Sequence, residues 1–396
     1  MRPFFRKGEA ASFTLPRALA EDSRILCIDT GDLTDFLFHI PLINAVRRHY
    51  PRCKLDFLLP EKHESLVVPC GIAKNFIIYK EKQLNPWRPS YSALLRQLGG
   101  HHYDMAIVMA MEPSPRLELA ALASGASLRL GPSHEKSWPA INFEIRPPRD
   151  PDLYLGDRLA TAAPFLGLLL EELSPRWPLP MDRLRHMAQQ VHFHKPDPDQ
   201  MLVGIDPGVA KSGHALALDN LQYFARQLAT HLMCQVVPLG NPEQGDRLAE
   251  FEARLSDVPG GLPRETALDM VLLLAQCDLL IAGNTDFFHL AVSLGIPVIG
   301  LFTDAEPACW LPTGRRKVQV LKIKKGGKVE VETLLEAVER VTEGRTRTVT
   351  SVIPPERLSG EQEEGPDAPP ESGQPSSADN PTGPGPGNPD TPARDA

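Results

Sequence analysis

The sequence predicts an α/β protein of two Rossmann-like units facing each other across a cleft, followed by a disordered tail. Three observations predict it. Apolar runs of strand length alternate with amphipathic helical stretches along most of the chain. The alternation pauses at a polar, proline-bearing stretch, HFHKPDPDQ, which ends at Gln200, and then restarts. From about Ser351 onward the chain is rich in Pro, Gly, Ser and acids, with too few apolar residues to offset ordering entropy.

The first unit is expected over residues 22–185. Its strands fall at 24–29, 54–60, 75–80 and 104–110, and its helices at 37–49, 89–98 and 116–124. The second unit is expected over 200–345. Strands fall there at 201–205, 235–239, 279–282 and 297–302, and helices at 220–232, 244–255, 267–276 and 287–294, with a last helix at 330–342. Strands separated by helices make parallel sheets with right-handed crossovers. Such sheets bind ligands beyond the carboxyl ends of their strands, so the cleft between the two units is the expected site.

Composition narrows the function. The chain has 396 residues, 42% of them hydrophobic, which is enough for two domains with real cores. No run approaches the ~20 apolar residues of a membrane helix. Residues 1–21 read as a frayed leader or a short interfacial anchor, because MRPFFRKGEAASF is basic and aromatic but lacks the continuous apolar stretch of a secretory signal. Cys27, Cys53, Cys70, Cys234, Cys277 and Cys309 are scattered and form no CxxC, so they read as reduced thiols of a cytosolic protein. The net charge is −8, but residues 354–396 hold nine acids against two arginines, which leaves the remainder nearly neutral. A near-neutral surface argues against nucleic-acid binding. The 351–396 tail reads as a solvated extension or as a segment for an unknown partner.

The strand ends carry the candidate chemistry. The first strand runs into IDTGDLTDFLFHIP, with Asp29, Gly31, Asp32 and Asp35. A dinucleotide loop would place glycines there, because backbone must approach pyrophosphate closely. Three carboxylates would repel one. Asp35 therefore reads either as a helix cap or as a general base aimed into the cleft. In the second unit, GIDPGVAKSGHAL makes a Pro-Gly turn at Gly208, whose free N–H groups, with Lys211 and His214, suit a diphosphate. Glu243, in PLGNPEQGDRLAEF, reads as a ribose ligand or as a plain helix start. The stretch LLIAGNTDFFHLAVSLGIPVIGLF sets Asn284, Thr285 and Asp286 at a strand end, with His289 one turn later as a ligand or a structural histidine. No metal-ligand spacing, GxSxG or Walker A motif is present.

Three segments together resemble the bacterial heptosyltransferases, glycosyltransferase family 9 of the GT-B class. They are GDLTDFLFHIP, DPGVAKSGHALALDNLQYFA, and NTDFFHLAVSLGIPVIGLF followed by DAEPACWLP. The resemblance spans about residues 24–341 and is thinnest over 130–200. It implies inverting transfer of a sugar, heptose-like, from a nucleotide diphosphate donor to a lipopolysaccharide-core or other glycan acceptor. It implies Asp35 as catalytic aspartate and acceptor contacts at Gly31 and Asp32. Donor contacts are implied at Gly208, Lys211, His214, Glu243, Asn284, Thr285, Asp286 and His289. No metal or other cofactor is implied; the nucleotide-sugar is a co-substrate. The setting implied is cytoplasmic, peripheral at the cytoplasmic face of the inner membrane. The chain departs from the family pattern at several places, among them Val209 and Ala210, where small hydroxyl residues often follow Pro-Gly. Asn284 stands at the family's aspartate, Asp286 at its glycine, His214 at its lysine and Leu216 at its tryptophan. Those changes also fit a second reading, a catalytically silent GT-B relative that serves as a binding or scaffold protein.

Overall fold

In a computed structural model, two wholly parallel sheets carry the chain. Residues 19–342 are described, apart from 133, 136, 146–149, 151, 170–175, 196–199, 233, 256–260, 304–305, 313–314 and 324–328. The tail and nearly all of the expected leader lie outside the described residues.

The first sheet has the order β3-β2-β1-β4-β5-β6. Its strands are β1 (Arg24–Asp29), β2 (Lys54–Pro60), β3 (Asn75–Tyr79), β4 (Met105–Met109), β5 (Leu128–Pro132) and β6 (Phe143–Ile145). The second sheet has the order β11-β10-β9-β7-β8. It is built from β7 (Leu202–Asp206), β8 (Gln235–Pro238), β9 (Leu279–Ala282), β10 (Val298–Thr303) and β11 (Val318–Ile323). Strand order reverses beside β1 in the first sheet and beside β7 in the second. Crevices at such switch points are where open α/β sheets take ligands. The described residues belong to one compact unit.

The helices follow the expected pattern with informative differences. Helix α1 (Leu33–His49) begins four residues before the expected start, because Asp32 in extended backbone caps it by accepting from the Asp35 N–H. Helix α2 (Glu61–Val67) was not foreseen; it is a short segment that opens directly on Pro60. Then come α3 (Pro89–Gly99) and α4 (Pro115–Ala123), each opening on a proline whose missing N–H costs nothing there. The polar stretch expected to join the units begins inside helix α5 (Met181–His194), whose last residues are His192, Phe193 and His194. Leu184, Met187 and Val191 are its buried stripe, spaced three and four apart.

Among the described residues the further α-helices are α6 (Leu218–Leu232), α7 (Gly245–Glu252), α8 (Ala267–Leu274), α9 (Asp286–Leu294) and α10 (Val331–Thr342). One apolar cluster joins the two sheets' layers. It includes Phe36 and Ile40 of α1 together with Leu268 of α8 and Phe287 and Phe288 of α9. Burying these side chains is worth roughly 2 kcal/mol each. That cluster sets the first turns of α1 and α9 beside each other. All six cysteines are free; four are buried and Cys53 and Cys309 are half-buried. Among the described residues no helix is long and apolar enough to cross a membrane.

Candidate active site

At the first switch point the loops after β1 and β4 meet. Asp29, at the end of β1, is wholly buried and committed to structure. Its carboxylate accepts from the Gly31 N–H at 2.8 Å and from His63 Nδ1 at 2.7 Å. The Tyr79 hydroxyl donates to its carbonyl at 2.7 Å. This holds Gly31 at φ +89°, a left-handed conformation that costs glycine little. Asp32 then caps α1, and Asp35 falls in the first helical turn.

One Asp35 carboxylate oxygen accepts from the Met111 N–H at 3.1 Å, across from the β4 end. His39 Nδ1, one turn along α1, donates to the Asp35 carbonyl at 2.7 Å. Burial, and then the charge of Asp32, push the Asp35 carboxyl up to about 7 against the partial relief of the Met111 N–H and Lys211. A carboxylate near neutrality is suited to general base work. Capping belongs to Asp32, so the cap reading of Asp35 is set aside.

The second switch point repeats the plan. Asp206, at the end of β7, is buried and holds both neighbouring loops. It accepts from the Gly208 N–H at 2.8 Å and from the Thr285 hydroxyl at 2.5 Å. Burial lifts its carboxyl to about 6, against those two donors. Gly208 is required by close approach, since a Cβ there would lie 2.8 Å from Asp206 Oδ1 and 3.0 Å from Gln244 Oε1. The loop then passes back along the β9 end, where the Lys211 N–H donates to the Asn284 carbonyl at 2.7 Å.

The two plans meet at Lys211. Its ammonium lies 3.0 Å from both oxygens of Asp32 and 2.6 Å from Asp286. The Thr34 hydroxyl donates to the same Asp286 oxygen at 2.6 Å. Burial opposes the lysine's charge, but Asp286 and Asp32 outweigh it and hold the ammonium above its ordinary value.

His289 is buried in an aromatic cage of Phe38, Tyr154, Phe288 and Trp310, with ring centroids 5.1–5.9 Å away. Burial, and then the charge of Lys211, lower it to about 3, so it is neutral. Its tautomer follows from its neighbours. Asn284 Nδ2 donates to Glu306 at 2.7 Å, which turns Asn284 Oδ1 toward His289 Nε2 at 2.8 Å. Nε2 therefore carries the proton, and Nδ1 accepts from the Tyr154 hydroxyl at 2.9 Å. Both ring nitrogens are thus engaged by protein groups.

Beside this network, between the 208–217 loop and the ends of β9 and β10, lies a cavity of about 450 Å³. Gly208, Ala210, His214 and Leu216 line one side, and Leu301, Thr303, Glu306 and Ile323 the other. Its lining is mixed: apolar side chains alternate with the polar groups of His214, Asn220, Thr303 and Glu306, which could fix a ligand's orientation. Thr303 Oγ1 is buried without a hydrogen-bond partner among the described residues and belongs to this lining. Glu243 sits on an exposed tip around a shallower cavity with Val209 and Arg247; its neighbour Gln244 reaches the loop instead, accepting from the Val209 N–H at 2.9 Å.

Of the candidates named from sequence, Asp32, Asp35, Lys211, Asn284, Thr285, Asp286 and His289 therefore gather at the meeting of the two switch points. Gly208 and His214 line the adjoining cavity. Asp206, Glu306, Ser212 and Tyr154 were not foreseen. The Asp-Pro-Gly sequence at 206–208 is a turn signal that marks Asp206. Glu306, which also accepts from the Ser212 hydroxyl at 2.5 Å, lies within the DAEPACWLP segment, but nothing local singles out its carboxylate. Among the described residues no three His, Cys, Asp or Glu side chains converge as a metal-holding group.

Two parallel sheets with facing switch points, one presenting a carboxylate and the other a glycine-containing loop and cavity, define a GT-B-like protein. A family model described as glycosyltransferase family 9 (heptosyltransferase) matches residues 91–338, more than half of the chain. The chain belongs to that family. It is 20% identical over 297 residues to the lipopolysaccharide core heptosyltransferase OpsX of Haemophilus influenzae, covering 72% of this chain and 81% of that one. Among solved structures it resembles a family 9 glycosyl transferase from Veillonella parvula, with a TM-score of 0.67 and 17% identity over 82% of this chain and 98% of that chain. It also resembles ADP-heptose lipopolysaccharide heptosyltransferase II of E. coli, with a TM-score of 0.60 and 20% identity over 81% and 98%. A third likeness is the E. coli heptosyltransferase WaaC with ADP-2-deoxy-2-fluoro heptose, with a TM-score of 0.58 and 15% identity over 80% and 99%. At these identities the structures establish the fold.

Proposed function

We propose that this chain is an inverting glycosyltransferase that moves a heptose-like sugar from a nucleoside diphosphate donor to a lipopolysaccharide-core or other glycan acceptor. One observation carries the reading. Contacts of 3.0 Å (Lys211 to Asp32) and 2.6 Å (Thr34 to Asp286) bring the first turn of α1, with Asp35 on it, against the donor-side loops. The acceptor hydroxyl gives its proton to Asp35. Its oxygen attacks the anomeric carbon from the face opposite the diphosphate. The bond to the diphosphate breaks, and its electron pair leaves with the nucleoside diphosphate. Lys211 receives that charge, and because its main chain is already tied to the Asn284 carbonyl it needs little reorganisation. The nucleoside would occupy the 450 Å³ cavity, with the Thr303 hydroxyl as a partner. The acceptor class puts the work at the cytoplasmic face of the inner membrane.

A second reading has its own observation. Lys211 is already neutralised by Asp32 and Asp286, which fits a silent relative acting as a scaffold. Thermal shift with ADP, UDP and GDP, followed by product detection with ADP-heptose and a core acceptor, separates the two. Saturating ligand should stabilise the transferase by about 1–3 kcal/mol through linkage. A flat panel and no product would leave the scaffold.

A further inference from the structure

Lys211 serves carboxylates on both sides of the site. Asp32 belongs to the β1–α1 turn and Asp286 opens α9, and both hold the same ammonium. Each of the three groups keeps an anchor that does not depend on this ion contact. Asp32 Oδ1 also accepts from the Asp35 N–H at 3.1 Å. Asp286 also accepts from the Thr34 hydroxyl at 2.6 Å. The Lys211 main chain is tied to the Asn284 carbonyl at 2.7 Å. The ammonium can therefore change partners by side-chain rotation while the loop and both helix starts stay in place.

We propose that Asp286 sets the donor affinity of this chain by competing with the donor's diphosphate for the ammonium of Lys211. The proposal rests on the transferase reading of the cleft. With the cleft empty, Asp286 and Asp32 share the cation. A diphosphate carries more charge than either carboxylate and draws the cation to itself. Asp286 is then left with the Thr34 hydroxyl, and Asp32 with its cap bond. Charges this close interact strongly where water is partly excluded, so this competition weighs heavily on binding. The residue that holds the lysine in place is the one that donor binding must displace. Neutralising it frees the lysine.

The test is calorimetric titration of inorganic pyrophosphate and of ADP into the whole protein. Four forms are compared: the parent chain, Asp286→Asn, Lys211→Met, and the double variant. Asp286→Asn should bind both probes about five- to twentyfold more tightly, and Lys211→Met about tenfold or more weakly. In the Lys211→Met background the gain from Asp286→Asn should nearly vanish. Asp286→Ser, which keeps a polar group at the start of α9, repeats the measurement should the asparagine form not fold. No gain on neutralising Asp286, an equal gain with and without the lysine, or no binding by any form would each overturn the proposal. Sugar transfer by the parent chain with no gain in Asp286→Asn removes this inference and leaves the transferase. A lysine-dependent gain without transfer by any form does the reverse.

Discussion

The starts of α1 and α9 lie beside each other and share a plan, yet they hold their acids in opposite ways. Each follows a strand at a sheet's switch point, and each is capped by a side chain: Asp32 for α1 and Thr285 for α9. Each carries an aspartate in its first turn. Asp286, on α9, touches an ammonium and a hydroxyl. Asp35, on α1, touches an N–H group, is crowded by the charge of Asp32, and is pushed up to about 7. The acid given a cation partner is tied into an ion pair. The acid denied one is left able to take a proton near neutral pH. The buried acids beneath them, Asp29 and Asp206, are alike: each ties down a glycine N–H and a second group.

Substitutions can break or sharpen that contrast. The largest effect belongs to Asp35→Asn. It should cut turnover by about 10²–10⁴-fold while leaving nucleoside diphosphate binding within a factor of about two. Initial rates beside calorimetry check this; full turnover would make the two helix starts equivalent after all.

Next is Asp206→Ala, which strips partners from the Thr285 hydroxyl and the Gly208 N–H in the interior. It should cost about 2–3 kcal/mol in urea unfolding. A loss below about 0.5 kcal/mol would deny Asp206 its organising role.

The pH dependence comes third. Asp35 is raised to about 7 from an ordinary value of 3.8, so between those pH values the folded state binds more protons than the unfolded state. Its contribution to stability therefore falls as pH rises through that window, while its use as a base grows. The transfer rate should climb through about pH 7. Asp35→Asn should be more stable than the parent at pH 8 by on the order of 2 kcal/mol, and by much less at pH 4. Equal unfolding free energies of the two forms at pH 8 would count against a raised carboxyl.

The smallest effect is expected of Tyr154→Phe. It removes the donor to His289 Nδ1 and should cost about 1 kcal/mol in stability, with nucleotide affinity changed less than about threefold. A large loss of affinity in a folded variant would show His289 to be more than a pillar between the two sides.

Much of the architecture could be read before any coordinates. Strands β1, β2, β4, β7 and β9 are buried apolar runs bounded by turn residues, and such runs declare themselves. The elements that escaped had weaker signals. Strand β6 is three residues long, and β5 is interrupted by Arg129 and Gly131. Strand β11 is half-exposed along most of its length, so its pattern is muted. Helix α5 hides its apolar stripe among histidines, arginines and glutamines. At the site, Asp35, Lys211 and the 284–289 segment stood out because they follow strand ends within short, distinctive stretches. Glu306 and Tyr154 did not, because their partners Asn284 and His289 lie 22 and 135 residues away.

The sequence alone determined most of the strands and helices and which loops end at the carboxyl edges of the sheets. Local spacing of apolar groups, prolines and caps decides those features over a few residues. Tertiary structure alone decided what the acids in those loops do. The order of strands puts Met111 beside Asp35, and the packing of α1 on α9 puts Lys211 between Asp32 and Asp286. A carboxyl's proton affinity depends on burial and on charges a few ångströms away, and those distances exist only once the chain has folded.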